Sequence, residues 1–536
     1  MLAISPSRGS PMQPVTESWR QAQQLEAAGA WDQVRPHYAS ILATEPDHVP
    51  ARLRMSRLEQ RDGHYRHARE HALLAAGSVR SGAGVRHAAY VSARLLEFAE
   101  EAEAAALVLA LDWSDAEVIR QSPVLAQHLW LAGRYADALR LVDAMARHAP
   151  DHPLLLLTRA NVLRFMGRMD EAEQQYEACL ARSPDLADAH WALATHSRAR
   201  PAMSRVDRLL QSLQRQQADP IARAHLLYAL FREYDAAGDI GNAWDALSRG
   251  AALMRDGVPY DGQREAACME AMMRLPAGSE ARRTPQQEED AEGAQPVFIV
   301  GMPRTGTTLL DRILGNHADV HSLGERNDLS AAISEAGDRF FRSALEADVV
   351  ALLQTADAGE IGRRYLQRVA GDSPSAQRLI DKNPLNLFSI PVILQALPHA
   401  RIICLRRDPM DACFSNLKEL FQGGAYSYSY ALEDLAGHCL RAHRWMAHWQ
   451  AAAPASVRVV DYERLVEDPE GVSAGLLDFL GLAPQPGLHE ITRNQAPVST
   501  ASSSQVREDV HRRAVGAWRR YEAQLQPLRE SLERQA

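Results

Sequence analysis

Cysteine is scarce in this chain: five residues among 536 (Cys179, Cys268, Cys404, Cys413 and Cys439), no two of them in a C-x-x-C pair. That argues against a zinc site or a disulfide framework, and each thiol is expected to be a small buried hydrophobe. No stretch approaches the roughly 18 consecutive apolar residues of a membrane span. Met1 to Thr16 holds prolines and serines but lacks the apolar segment of a signal peptide. A cytoplasmic protein without a membrane span is the expectation. An excess of basic charge is missing too. With 59 Lys+Arg against 68 Asp+Glu the net charge is −9, which argues against nucleic acid as a partner and still allows a local basic pocket for an anion. What is present, 46% hydrophobic and 24% charged residues, is the balance of a soluble globular protein. The length calls for two or more domains.

The N-terminal half repeats. Gly29 and Gly63, and again Gly133 and Gly167, are 34 residues apart. Trp31, Tyr65, Tyr135 and Met169 follow these glycines by two residues, and Ala68, Ala138 and Ala172 follow theirs by five. Pro46, Pro150 and Pro184 each come seventeen residues after a glycine. The period predicts stacked helical hairpins, with glycine and alanine allowing close helix approach and proline ending the second helix. Residues of about 17–255 resemble the tetratricopeptide repeat family, and Tyr260 to Leu275 is expected to add one more helix. The segment 276–295 is polar and charged, cannot build a core, and reads as a linker.

From 296 onward short β-rich runs (Val297–Val300, Arg401–Leu405, Val457–Val460) alternate with helical segments, the pattern of a parallel sheet flanked by helices. Its ligand is expected beyond the C-terminal strand ends. The first run leads into Gly301-Met-Pro-Arg-Thr-Gly-Thr-Thr308 and a helical stretch. Strand, glycine loop and helix form a phosphate cradle of backbone N–H groups backed by a helix N-terminus. The spacing is that of a Walker A loop, G-x-x-x-x-G-K-[ST], but Thr307 stands where the lysine belongs and the only cation is Arg304. A P-loop NTPase places that lysine on the β- and γ-phosphates. Four further segments accompany the loop: Gly324-Glu325, Asp381-Lys382-Asn383-Pro384, a strand ending in Arg406-Arg407 with Ser415 eight residues beyond Arg407, and Asp461-Tyr462-Glu463.

On these motifs the region from about 296 to 525 resembles the sulfotransferase family, in particular bacterial members with tetratricopeptide repeats and the tyrosylprotein sulfotransferases. The family loop P-[KR]-[ST]-G-T-T appears here as Pro303-Arg304-Thr305-Gly306-Thr307-Thr308, and its strand-end Arg with a Ser eight residues on appears as Arg407 and Ser415. The resemblance implies 3′-phosphoadenosine 5′-phosphosulfate (PAPS) as sulfuryl donor and no metal. A nucleotide with anions at both ends needs two anion sites, which the loop and the Arg407–Ser415 pair can supply. It further implies Arg304 and Lys382 beside the leaving group, Thr307 and Thr308 on the 5′-phosphate, and Glu325, 21 residues past Arg304, as general base. By the Gln-Val register, Ser502 would contact the sulfate side and Arg507 the 3′-phosphate. His511 stands where the family often has a tyrosine. His317 and His321 do not match the histidine base of the cytosolic small-molecule enzymes and are expected to be structural. Trp518 is expected to pack the last helix, and Tyr462 and Glu463 to support the site.

The expected architecture is an N-terminal tetratricopeptide α-solenoid followed by a P-loop-like three-layer α/β domain with a parallel sheet. The expected boundaries are 1–16 (disordered), 17–275 (repeats), 276–295 (linker) and 296–536 (sulfotransferase domain). The expected acceptor carries a hydroxyl or amine; protein tyrosine, glycan, lipid and small molecule all stay open, a protein or glycan being the kind that would dock on the repeats. Two rivals stand beside this reading: an adaptor with a degenerate nucleotide-binding domain, and a nucleotide kinase or NTPase.

Overall fold

The computed structural model describes residues 14–196, 203–257, 259–276, 295–341, 343–355, 358–371, 376–421, 423–494 and 508–535. They fall into two compact units: Met1–His148 with Asp338–Phe340, and Ala149–Gly337 with Phe341–Ala536.

The first unit is helical. Its hairpins pair α1 (Pro14–Ala27) with α2 (Trp31–Thr44), α3 (Val49–Arg61) with α4 (Tyr65–Arg80), α5 (Ala88–Leu96) with α6 (Glu101–Ala110), and α7 (Ala116–Leu131) with α8 (Tyr135–Met145). The repeated residues act for two different reasons. Gly29, Gly63 and Gly133 sit in the turns with φ between +70° and +86°, and a Cβ there would meet nothing within 4 Å. They serve the left-handed turn and not close helix packing. The alanines do the packing: Ala68, Ala138 and Ala172 are fully buried. Pro46, Pro150 and Pro184 all lie just beyond a helix end.

The second unit opens with more of the same hairpins: α9 (Pro153–Phe165), α10 (Met169–Arg182), α11 (Ala187–His196), α12 (Met203–Arg215), α13 (Pro220–Ala237), α14 (Ile240–Gly257) and the expected extra helix α15 (Gly262–Met273). A parallel sheet follows, with strands β1 (Gln295–Gly301), β2 (Val320–Gly324), β3 (Arg378–Asp381), β4 (Arg401–Arg406) and β5 (Val457–Asp461) in the order β2-β3-β1-β4-β5. Its helices are α16 (Thr307–Leu314), α17 (Asp328–Ala336), α18 (Ala347–Thr355), α19 (Ala358–Val369), α20 (Ile390–Ala396), α21 (Pro409–Leu417), α22 (Leu432–Ala452), α23 (Tyr462–Glu467), α24 (Pro469–Leu480) and α25 (Gln526–Gln535).

The alternation of the central strands sorts their side chains into two cores. Val297, Ile299, Ile403 and Leu405 pack with Leu310 and Ile313 of α16 and Leu476 and Leu477 of α24. Phe298, Val300, Ile402 and Cys404 face the other side, with Tyr365 of α19 and Trp445 and Trp449 of α22. The domain is therefore a three-layer α/β sandwich. β2 and β3 went unread in the sequence because they are short and interrupted by polar residues. All five cysteines are buried free thiols.

The division between the units falls at 148/149, inside the repeats, and not at the polar 276–295 segment. The second apolar core explains this, because it continues through Leu227, Tyr228, Phe231 and Leu247 of α13 and α14. A polar seam fixes α15 to α22. Glu265 accepts from Arg441 Nε at 2.9 Å and from the Tyr260 hydroxyl at 2.8 Å, and lies 2.9 Å from His438 Nδ1. Burial alone would raise the Glu265 carboxyl; His438, Arg441 and Tyr260 outweigh it and hold the group at about 2. A folded pKa below the unfolded one stabilises the protein above the unfolded value of 4.5, and this stability is lost as pH falls toward 2. Glu265→Gln is expected to destabilise the chain by about 3 kcal/mol at neutral pH and to flatten its acid-denaturation profile between about pH 5 and 2. Thermal melts across that range check both.

Candidate active site

Five of the positions singled out in the C-terminal sequence lie at the C-terminal end of a strand: the glycine loop after β1, Glu325 after β2, Lys382 after β3, Arg407 after β4 and Tyr462 after β5. This is the end of a parallel sheet where ligands bind.

The loop between β1 and α16 is held in an unusual backbone conformation. Arg304 has φ +64° and Gly306 φ +102°. A non-glycine residue at positive φ costs about 1–3 kcal/mol unless its surroundings enforce it. Here they do. Asn416 Nδ2 donates to the Pro303 carbonyl at 2.8 Å, Arg407 Nη1 to the Arg304 carbonyl at 2.9 Å, and Thr305 Oγ1 to the Met302 carbonyl at 2.7 Å. A trans peptide places N–H opposite C=O, so these anchors turn the Arg304 and Thr305 N–H groups the other way. Gly306 admits no side chain, since a Cβ would lie 2.5 Å from Tyr462 Cδ2. Thr307 and Thr308 begin α16 and are buried.

Arg407, also buried, ties three pieces together. Besides the Arg304 carbonyl it donates Nη2 to the Ala514 carbonyl, lies 3.9 Å from the Asp411 carboxylate, and stacks 4.8 Å over the Tyr462 ring. Its Nε is buried with no hydrogen-bond partner among the described residues, a donor still open to an anion. Ser415 lies two turns along α21 and is partly exposed. Asp411 receives the N–H groups of Gly516 at 2.6 Å and Trp518 at 3.3 Å, which pins the C-terminal segment to α21. Ser502 and Arg507 fall outside the described residues. His511 is near Glu508, 3.8 Å away.

Across the sheet, Lys382 Nζ donates to Glu325 Oε1. The lysine side chain is 2% exposed and the glutamate 39%, so the pair has a buried cation and an accessible carboxylate. Neighbouring strands set this pairing, since the Lys382 N–H also bonds the Gly324 carbonyl at 3.0 Å. Two buried acids lie beneath. Burial raises Asp311, with Lys382 and the Ser322 hydroxyl acting in the opposite direction. Burial and Asp328 push Asp381 up to about 8.

The remaining polar positions are placed as follows. His317 is structural: Nε2 lies 3.0 Å from the Ala483 carbonyl and Nδ1 accepts from the Asp319 N–H at 3.1 Å. His321 is exposed on β2. Trp518 packs under Arg529 of the last helix, 4.9 Å from its ring. Glu463 accepts the Asp408 N–H at 3.0 Å and so supports the start of α21.

Four residues escaped the sequence reading: Asn416, Lys418, Glu419 and Arg232. Arg232 comes from α13 and donates Nη2 to the Lys418 carbonyl at 3.0 Å and to Glu419 Oε2 at 3.2 Å. Glu419 in turn lies 3.9 Å from Arg304 Nε. Burial pushes Lys418 down to about 7, assisted by Arg232, Arg304 and Arg407 and opposed by Asp235. A signal for Lys418 existed: of the 59 basic residues only Lys382 and Lys418 are lysines, and both are here. Arg232 had none, because an arginine in a helix reads as part of a solvated face.

Comparison with known proteins agrees with this anatomy. Residues 296–486 match the sulfotransferase family and residues 129–196 the tetratricopeptide repeat. An uncharacterized protein of Aquifex aeolicus is 30% identical over 417 residues, covering 74% of this chain and 52% of its own length. A putative protein-tyrosine sulfotransferase of Caenorhabditis briggsae is 27% identical over 233 residues, 42% of this chain and 80% of its own. Protein-tyrosine sulfotransferase 1 of Danio rerio is 26% identical over 188 residues, 35% of this chain and 53% of its own. The chain thus spans about half the length of the Aquifex and Danio relatives. Among the described residues no helix is long and apolar enough to cross a membrane.

Proposed function

We propose that this chain, whose residues 296–486 belong to the sulfotransferase family, transfers the sulfuryl group of PAPS to a hydroxyl or amine acceptor. The observation that carries the reading is the bond from Arg407 to the Arg304 carbonyl. It joins the two anion-binding elements in one site, as a nucleotide charged at both ends requires. The loop N–H groups, Thr305, Gly306, Thr307 and Thr308 hold the 5′-phosphate. Arg407 and Ser415, with Arg507 from the C-terminal segment, hold the 3′-phosphate. Glu325 takes the acceptor proton as the acceptor oxygen attacks sulfur and the bond from sulfur to the 5′-phosphate oxygen breaks. Arg304 and Lys382 neutralise the charge that collects on that oxygen, and Ser502 contacts the sulfate. The products are the sulfated acceptor and adenosine 3′,5′-bisphosphate. No metal is assigned a part. The repeats are assigned the capture of a macromolecular acceptor, a protein or a glycan, on their stacked helical surface.

Titration of the full-length chain with adenosine 3′,5′-bisphosphate tests this reading. Micromolar binding without magnesium, and much weaker binding of ATP, are the expected results; preference for magnesium–ATP would replace the reading with an NTPase.

A further inference from the structure

We infer that the helical repeats supply part of the sulfuryl-transfer site: Arg232 of α13, acting through Glu419, positions the loop residue Arg304. The inference rests on the donor reading above and assigns a role to two residues outside the family motifs.

Arg232 is fixed from several sides. Its guanidinium stacks over Trp191 of α11, 5.5 Å from the ring, and bonds the Lys418 carbonyl and the Glu419 carboxylate. One turn earlier on the same helix, the Tyr228 hydroxyl donates to the Leu417 carbonyl at 3.2 Å. The C-terminal end of α21 is thus clamped by α13 at successive carbonyls, the acceptors a helix end leaves open. Glu419 follows that helix end. It is 8% exposed, and its carboxylate lies between Arg232 and Arg304. Its Oε2 accepts from Arg232 Nη2 at 3.2 Å and lies 3.9 Å from Arg304 Nε, so the carboxylate that Arg232 holds in place draws the Arg304 guanidinium by charge in a buried setting. Arg304 needs such a guide. It sits at positive φ on a short loop, with the cations Arg232 and Arg407 both near enough to repel it. Arg232 and Glu419 are positioning residues, since neither is placed on the reacting atoms.

The proposal separates from a simple charge effect by sign. Glu419→Gln makes the site more positive and Arg232→Met makes it less positive. A charge effect alone shifts anion affinity in opposite directions for the two variants. Loss of Arg304 positioning shifts both the same way, and only at the 5′ end of the nucleotide. The experiment is calorimetric titration of the full-length chain with adenosine 3′-monophosphate and with adenosine 3′,5′-bisphosphate. The ratio of the two dissociation constants reports the grip on the 5′-phosphate. Both variants are expected to reduce that ratio at least fivefold while adenosine 3′-monophosphate binds within twofold of wild type, and Arg232→Lys should recover part of the loss. Opposite shifts in the two variants, an unchanged ratio, or an equal loss for both nucleotides would overturn the inference and leave the donor reading intact. A wild-type chain that binds neither nucleotide removes the donor reading itself. If Arg232→Met fails to fold, Glu419→Gln decides, since its ratio must fall although its charge change favours anions.

Discussion

Glu325→Gln is expected to leave the affinity for adenosine 3′,5′-bisphosphate within about twofold and to cut sulfuryl transfer by about 10²–10⁴-fold, the usual contribution of a positioned general base. The geometry separates the two readouts. Glu325 lies after β2, on the far side of β3 from β1 and its glycine loop, and its carboxylate is the exposed member of the pair with Lys382. One oxygen accepts from the lysine, and a carboxylate has lone pairs for a second donor, such as an acceptor hydroxyl. Glutamine keeps the size and an acceptor for Lys382 and loses the basicity. The measurement is transfer of label from PAPS to a panel of tyrosine peptides, glycans and small phenols, alongside calorimetry. If turnover survives the substitution, the base lies elsewhere; if binding and turnover fall together, Glu325 holds the donor instead.

Arg407→Ala should act in the reverse order. Loss of charge-assisted hydrogen bonds to a phosphate is expected to weaken bisphosphate binding by about 30- to 1,000-fold, or about 2–4 kcal/mol. Part of that loss is indirect. The same side chain anchors the Arg304 and Ala514 carbonyls and stacks on Tyr462, so the loop and the C-terminal segment loosen together. Ser415→Ala, which disturbs none of these anchors, isolates the direct contact and should cost about 3- to 10-fold, the worth of one hydrogen bond. Adenosine 5′-monophosphate supplies the control, because a ligand without a 3′-phosphate should lose much less on either substitution. Retention of bisphosphate affinity within threefold in Arg407→Ala would remove the 3′-phosphate site from this position.

Much of the candidate site was legible because a strand–glycine loop–helix is a local device. Gly301 to Thr308 specify it within eight residues, and Gly306 is required by its positive φ and by the Tyr462 ring beside it. Arg407 and Ser415 were legible for the same reason, being two turns apart on one strand–helix unit. The repeat glycines were located correctly but for another reason, since they answer to turn dihedrals and the alanines to packing. Two strands were missed because Arg378–Asp381 and Val320–Gly324 are short and broken by polar residues, so no apolar run marks them. Asn416 was passed over although it adjoins Ser415, because nothing in its neighbourhood says that it reaches back to the Pro303 carbonyl.

The sequence by itself determined which local units exist: helical hairpins with a 34-residue period, a glycine loop of Walker A spacing without its lysine, and a strand end carrying Arg407. These follow from backbone dihedrals and short-range spacing, which neighbouring residues set. Only the tertiary structure decided which of the units share a core and which charges meet. α13 lies beyond a polar segment in the chain, yet its apolar face packs into the core of the sheet domain, and this carries Arg232 to Glu419 and Arg304. Burial of apolar surface does not depend on distance along the chain. An ion pair across 187 residues is therefore written in the packing and not in any motif.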